Sequence, residues 1–145
     1  MVDSSAQLIA LDVMSRDVVR VDADRPLWEA WLLMAHHGIH HLAVTSGHRF
    51  LGIVNEVRLL EMWTPGPWEP MSQPVRLLLR ARPTCASPEC SLGQVASVMR
   101  SEGVDAVAIV DRDMQLVGLV TAADILRTVS QVGLHAVCNP VASDS

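Results

Sequence analysis

Four of the chain's six histidines sit around one glycine in the stretch His36-His37-Gly38-Ile39-His40-His41. Clustered imidazoles have three ordinary uses: binding a transition metal, moving protons near neutral pH, or meeting an anion as cations. A second stretch, Gly118-Leu119-Val120-Thr121-Ala122-Ala123-Asp124, sets a hydroxyl one helical turn before a carboxylate. A threonine at a helix N-cap aims its hydroxyl and the free backbone N–H groups at an anion, with the helix dipole assisting. An aspartate one turn later accepts both hydroxyls of a ribose, or simply stabilises the dipole with no ligand present. Which use applies depends on the elements that carry these side chains.

The chain has 145 residues, 50% of them hydrophobic and 19% charged, which describes one globular domain with a real core. A net charge of −5 supplies no general attraction to nucleic acid or to an anionic membrane, so neither is expected as a partner. The N-terminus lacks a basic n-region, and no stretch reaches the roughly 20 apolar residues that span a bilayer, so the expected location is cytoplasmic. Cys85, Cys90 and Cys138 form an odd set without a CxxC pair, which argues against a disulfide framework and a zinc ribbon. Nucleophile-elbow, P-loop, paired-carboxylate and metal-ligand motifs are all missing, so an enzyme is not expected.

Sliding the chain against itself by 65 residues exposes an internal repeat. Leu27 falls on Leu92, Met34 on Met99, Gly38 on Gly103 and Val44 on Ile109; after one extra residue, LGIVNEVRLL falls on VGLVTAADIL. The lead-ins DVMSRDV and EPMSQPV also correspond. Each copy predicts a helix opened by Pro26 or Ser91 and closed at a left-handed glycine, then a hairpin, then a helix capped by Asn55 or Thr121. The expected organisation is repeat 1 at 8–62, a Pro-rich linker at 63–70, repeat 2 at 71–132 and a polar tail at 133–145. One copy buries too little surface to stand comfortably alone, so the two are expected to pack sheet against sheet about an approximate twofold axis. The fold class is α/β (α+β).

These paired strand–helix–hairpin–helix units, together with the G-h-h-[ST]-x-x-D entry into the last helix, resemble the cystathionine β-synthase (CBS) domain, found in tandem as Bateman modules. The resemblance covers about residues 8 to 132. It implies a non-catalytic regulatory module that binds an adenine nucleotide or related adenosyl compound, such as AMP, ATP or S-adenosylmethionine, between the repeats. No resident cofactor is required. It also implies a disc-shaped homodimer and an unidentified regulated protein as partners.

The two copies make an internal control for the histidines. Opposite His36, His37, His40 and His41 stand Ser101, Glu102, Asp105 and Ala106, so the fold does not demand histidine there. His36 and His37 fall at a helix C-terminus, where imidazolium suits the dipole. His40 and His41 are expected on opposite faces of a strand entry, and no Cys or Asp stands nearby, so a zinc site within one chain is not expected. Zinc shared across a dimer stays open. By resemblance to the I-H-R-L stretch of AMP-sensing CBS domains, His40 and His41 would meet a phosphate opposite Thr121 and Asp124, with Gly118 in the same motif.

The same resemblance puts Arg82-Pro83-Thr84-Cys85 on the adenine side of that cleft, with Thr84 among the nucleotide-binding residues. In the reciprocal cleft Arg58 stands at the ribose-aspartate position and Asp105-Ala106 at the phosphate-facing one, predicting one competent site per chain. Arg58 has the plainer option of pairing with Glu56 or Glu61. Arg76, Arg80 and Arg82 read either as added positive charge or as a solvated helix face. Trp31 is expected in the core, while Trp28 with Trp63 or Trp68 is expected in an exposed partner surface. The function expected is a standalone sensor of an adenosyl ligand; the alternatives are a ligand-free dimeric adaptor and, less favoured, a histidine-based metal-binding protein.

Overall fold

The computed structural model describes residues 7–62 and 70–131; the tail, Trp63, Trp68 and the expected linker apart from Pro70 lie outside them. In chain order the elements are α1 (Ala10–Val13), β1 (Arg20–Asp22), α2 (Leu27–His37), β2 (His41–Ser46), β3 (Arg49–Asn55) and α3 (Glu56–Glu61). Two 3-10 turns, Pro70–Ser72 and Val75–Leu78, precede β4 (Cys85–Ala86), α4 (Leu92–Glu102), β5 (Ala106–Val110), β6 (Leu116–Thr121) and α5 (Ala122–Gln131). Each repeat builds one three-stranded sheet, ordered β1-β2-β3 and β4-β5-β6. In both, the first pairing is parallel and the second is an antiparallel hairpin. This is the mixed α/β pair of strand–helix–hairpin–helix units that the repeat predicts.

Local chemistry explains the boundaries. α2 and α4 end at Gly38 (φ 63°) and Gly103 (φ 66°), left-handed positions where a side chain would be strained. Ser91 opens α4 with a full capping box, its hydroxyl accepting from Gln94 N while Gln94 accepts from Ser91 N. Asn55 caps α3 by accepting from Arg58 N at 2.8 Å. β2 is buried from Leu42 to Thr45 and β5 throughout because each is the middle strand of its sheet, with helices on one face and the other repeat on the opposite one.

The core falls into three clusters. Two belong to the individual repeats, and the third lies between the sheets, where Ala43, Phe50, Ala108, Val110 and Leu116 meet. Ala43 and Ala108 are fully buried twins, and their small side chains let the sheets close on one another. Trp31 packs against the first repeat's core and Trp28 is exposed, as expected of both.

The lead-ins are exchanged between repeats. Ala10 and Met14, from the start of the chain, pack among Val95, Met99, Val107, Ile109 and Val120 of repeat 2. Val75 and Leu78, from the start of repeat 2, pack among Leu27, Leu42, Val54 and Leu59 of repeat 1. Backbone hydrogen bonds repeat the exchange at the 65-residue spacing. Leu27 N donates to Gln73 O at 2.8 Å and Leu92 N to Leu8 O at 3.2 Å; Val75 N donates to Arg25 O at 2.8 Å and Ala10 N to Cys90 O at 2.8 Å. Boundaries drawn along the sequence therefore cut across the packing units, and the segment RLLLRAR forms a short 3-10 turn with an extended continuation rather than a helix face.

Two equivalent glycines admit the exchanged segments. A Cβ on Gly118 would stand 2.8 Å from Met14 Cγ and 3.1 Å from Met14 Cβ; one on Gly52 would stand 2.9 Å from Leu79 Cδ2. Leu79 is free to swing its side-chain end aside, whereas Met14 is blocked close to its own backbone. Gly118→Ala is expected to lower stability in urea unfolding by about 1–3 kcal/mol. Gly52→Ala is expected to lower it less, and the reverse order would contradict the packing described.

Candidate functional site

Two clefts lie between the repeats, each built from three segments. The larger, about 650 Å3, is lined by Ser15, Asp17, Val18 and Val19 of the first lead-in, by the Gly38–His41 corner, and by Leu119, Thr121, Asp124 and Arg127 of repeat 2. The smaller, about 120 Å3, uses the equivalent segments in exchange: Pro83 and Thr84 of the second lead-in, the Gly103–Ala106 corner, and Asn55 and Arg58 of repeat 1. Each cleft thus takes its lead-in and helix corner from one repeat and its hairpin-to-helix junction from the other.

Thr121, Asp124, His40 and His41 line the larger cleft together. Two expected residues do not. Thr84 lines the smaller cleft, because a lead-in stays with the corner of its own repeat; the segment facing Thr121 and Asp124 is Asp17-Val18-Val19. The repeat register held this signal, since Val19 is the residue 65 positions before Thr84. Gly118 is buried beneath the exchanged Met14, so its glycine serves packing.

Thr121 and Asp124 form a closed capping arrangement. Asp124 Oδ2 accepts from Thr121 N at 2.8 Å and from its hydroxyl at 3.0 Å, while Thr121 Oγ1 accepts from Asp124 N at 3.2 Å. Asp124 Oδ1 accepts from Arg127 Nη1 at 3.1 Å. Both carboxylate oxygens therefore already have donors, and a ribose diol must displace or share them. The hydroxyl faces the carboxylate as well as the cleft, so the outward-pointing cap expected from the motif is only half met.

Carboxylates hold both histidines. His40 Nδ1 lies 2.5 Å from Glu56 Oε2, and His41 Nε2 lies 2.7 Å from Asp105 Oδ1. The expectation that no aspartate stood near is corrected, since Asp105 comes from the twin corner of the other repeat; the two rings take partners on different elements, and both residues line the larger cleft. His41 and Asp105 line both clefts and form the wall between them. His36 and His37 remain at the end of α2, ring against ring at 5.0 Å. Among the described residues no group of three metal-ligating side chains converges. Arg58 lies 3.9 Å from Glu61, the plainer of its expected pairings, at the long end of an ion pair. Burial beside the interface core pushes the Cys85 thiol up, which fits an idle thiol.

The capping arrangement has a measurable share in stability. Thr121→Ala removes the hydroxyl that caps α5 and is expected to lower stability by about 1 kcal/mol in urea unfolding. Thr121→Ser keeps the hydroxyl and is expected to retain most of that; equal losses would remove the cap from the account.

Comparison with known proteins fits this geometry. The family model for the CBS domain matches twice, over residues 9–63 and 75–131. An inosine-5'-monophosphate dehydrogenase from Korarchaeum cryptofilum is 29% identical over 110 residues, 76% of this chain and 22% of that protein, so the chain spans about a fifth of the relative's length. The CBS domain pair of protein MJ0100, solved in complex with 5'-methylthioadenosine and S-adenosyl-L-methionine, superposes with a TM-score of 0.78 at 19% identity, covering 88% of this chain and 99% of that one. A hexameric CBS-CP12 protein from bloom-forming cyanobacteria gives a TM-score of 0.72 at 20% identity, over 83% of this chain and 67% of that one. Two matched repeats, the shared fold and a cleft between the halves establish that the chain belongs to the CBS-domain family, as a tandem pair of the Bateman type.

Proposed function

We propose that the larger cleft binds an adenosyl compound and that its occupancy is passed to a partner protein through the angle between the repeats. The observation that carries this reading is the meeting of Thr121 and Asp124 of one repeat with His40 and His41 of the other around one open cavity of about 650 Å3. That volume lies within the roughly 300–1,000 Å3 of small-molecule sites. In it Asp124 offers the acceptor for ribose hydroxyls, the start of α5 offers backbone donors, and Val18, Val19 and Ile39 offer apolar surface for a base. Ligand binding between repeats pulls on both hairpins at once, which is how differential affinity for two arrangements becomes a signal. The ligands bound by the MJ0100 domain pair are of this class.

Charge sorts the adenosyl compounds. Asp17, Asp105 and Asp124 face the cleft, against Arg127 and the two carboxylate-held histidines. A triphosphate meets more repulsion there than a monophosphate, and a sulfonium meets none. The expected order is S-adenosylmethionine or a neutral thioadenosine first, AMP next and ATP last.

An adaptor role is favoured by a different observation. The twin residues Leu60 and Leu126, with Val57 and Val129, present exposed apolar side chains on α3 and α5. Pairing of two copies through these helices buries them, and the hexameric CBS-CP12 protein shows that relatives of this fold assemble. We propose a homodimer on that surface, with Leu60→Lys/Leu126→Lys expected to halve the mass seen in analytical ultracentrifugation.

Calorimetric titration with S-adenosylmethionine, methylthioadenosine, AMP and ATP tests the ligand. Saturating ligand, at 100 times its dissociation constant, is expected to stabilise the protein by about 2.7 kcal/mol, and Asp124→Ala is expected to lose most of the response. An equal response from the variant removes Asp124 from the site. Silence toward every adenosyl compound, with the dimer intact, establishes the adaptor instead.

A further inference from the structure

Arg58, Arg80 and Arg82 converge on the smaller cleft, arriving from α3 and from the segment that leads into β4. The chain has no lysine, so its eleven cationic side chains are all arginines, set against sixteen acidic ones. Three of the eleven gathering at one cavity of an acidic protein demands a cause. Elsewhere Arg25, Arg76 and Arg127 each hold a carboxylate, from Glu29, Asp24 and Asp124, while Arg16, Arg20, Arg49, Arg100 and Arg112 hold none among the described residues and are scattered rather than gathered at this cavity. The cleft arginines hold little. Arg58 reaches Glu61 only at 3.9 Å, Arg80 reaches the Glu102 carbonyl at 3.4 Å, and Arg82 has no hydrogen bond or ion pair among the described residues. Asp105, the carboxylate lining this cleft, already has one oxygen on His41.

Guanidinium groups gathered with only Asp105 and a distant Glu61 as counter-charge repel one another, and an anion placed among them turns that repulsion into attraction. We propose that the smaller cleft binds a compact oxyanion of the phosphate or pyrophosphate class, separately from any adenosyl ligand in the larger one. The planar fork of each arginine matches two oxygens of such an anion, and the Thr84 hydroxyl adds a neutral donor at the rim. Size and chemistry both disfavour a nucleoside. The cavity offers about 120 Å3, and the position that Asp124 fills in the larger cleft is Arg58 here, which has no acceptor for ribose. The proposal stands on these arginines and does not rest on the adenosyl reading. It makes the clefts complementary in kind: one roomy and rich in acceptors, the other small and rich in donors, sharing the His41–Asp105 wall.

Calorimetry of the full chain with inorganic phosphate and with pyrophosphate, at matched ionic strength, tests it. Pyrophosphate is expected to bind with one site per chain, and Arg58→Gln/Arg82→Gln is expected to weaken it about tenfold or more. Asp124→Ala, which cripples the larger cleft, is expected to leave pyrophosphate binding unchanged. No heat from either anion, or equal binding by wild type and the double variant, overturns the proposal. So does an arginine dependence seen with ATP but with neither free anion, since that assigns the side chains to a nucleotide.

Discussion

Each half of this protein is finished by the other. The backbone bonds from Ala10 to Cys90 and from Val75 to Arg25 stitch each lead-in to the opposite repeat, and Met14 and Leu79 close over the equivalent glycines Gly118 and Gly52. A repeat of about 50 residues has only marginal buried area of its own. Exchange solves this by adding apolar side chains to each core and by making the two halves inseparable. The third cluster, around Ala43 and Ala108, then closes between sheets already held in place.

The clefts are a consequence of that exchange. Because a lead-in leaves one repeat to pack on the other, it passes beside the junction of hairpin and second helix in its partner, and a groove opens between them. Twofold symmetry makes two grooves; sequence divergence makes them different. Asp124 and Arg58 occupy the same place in the two halves with opposite charge, and the corners contribute histidine on one side and aspartate on the other. His41 and Asp105 then meet between the repeats, so the wall between the clefts is a hydrogen-bonded contact that a ligand on either side must respect.

Much of this was legible in the sequence because it is local. Glycines 38 and 103 mark helix ends since glycine adopts the left-handed turn at least cost, and Ser91, Asn55 and Thr121 mark helix starts since their side chains satisfy free N–H groups. The self-match at 65 residues announced two equivalent halves, and the resemblance to the CBS family implied the pairing of the His40–His41 corner with the Thr121–Asp124 junction. The exchange itself was hidden, because it rests on backbone hydrogen bonds that any residue makes. Thr84 was expected in the larger cleft although the 65-residue register sets it on Val19, the residue that lines that cleft. The pairing of His41 with Asp105 was equally silent: nothing near either residue in sequence marks a contact formed across the twofold axis. The engagement of Asp124 by its own helix cap was the plainer of two readings open from the motif, and the structure shows that it coexists with a place in the cleft.

Amide hydrogen exchange on Met14→Ala tests most directly whether each half completes the other. Met14 belongs to the first repeat in sequence and to the second in packing. Protection is predicted to fall at Val107, Ile109 and Val120 in β5 and β6 while Val44 and Val54 in β2 and β3 keep theirs. Loss of protection confined to β2 and β3 would contradict the exchange, and with it the origin of both clefts.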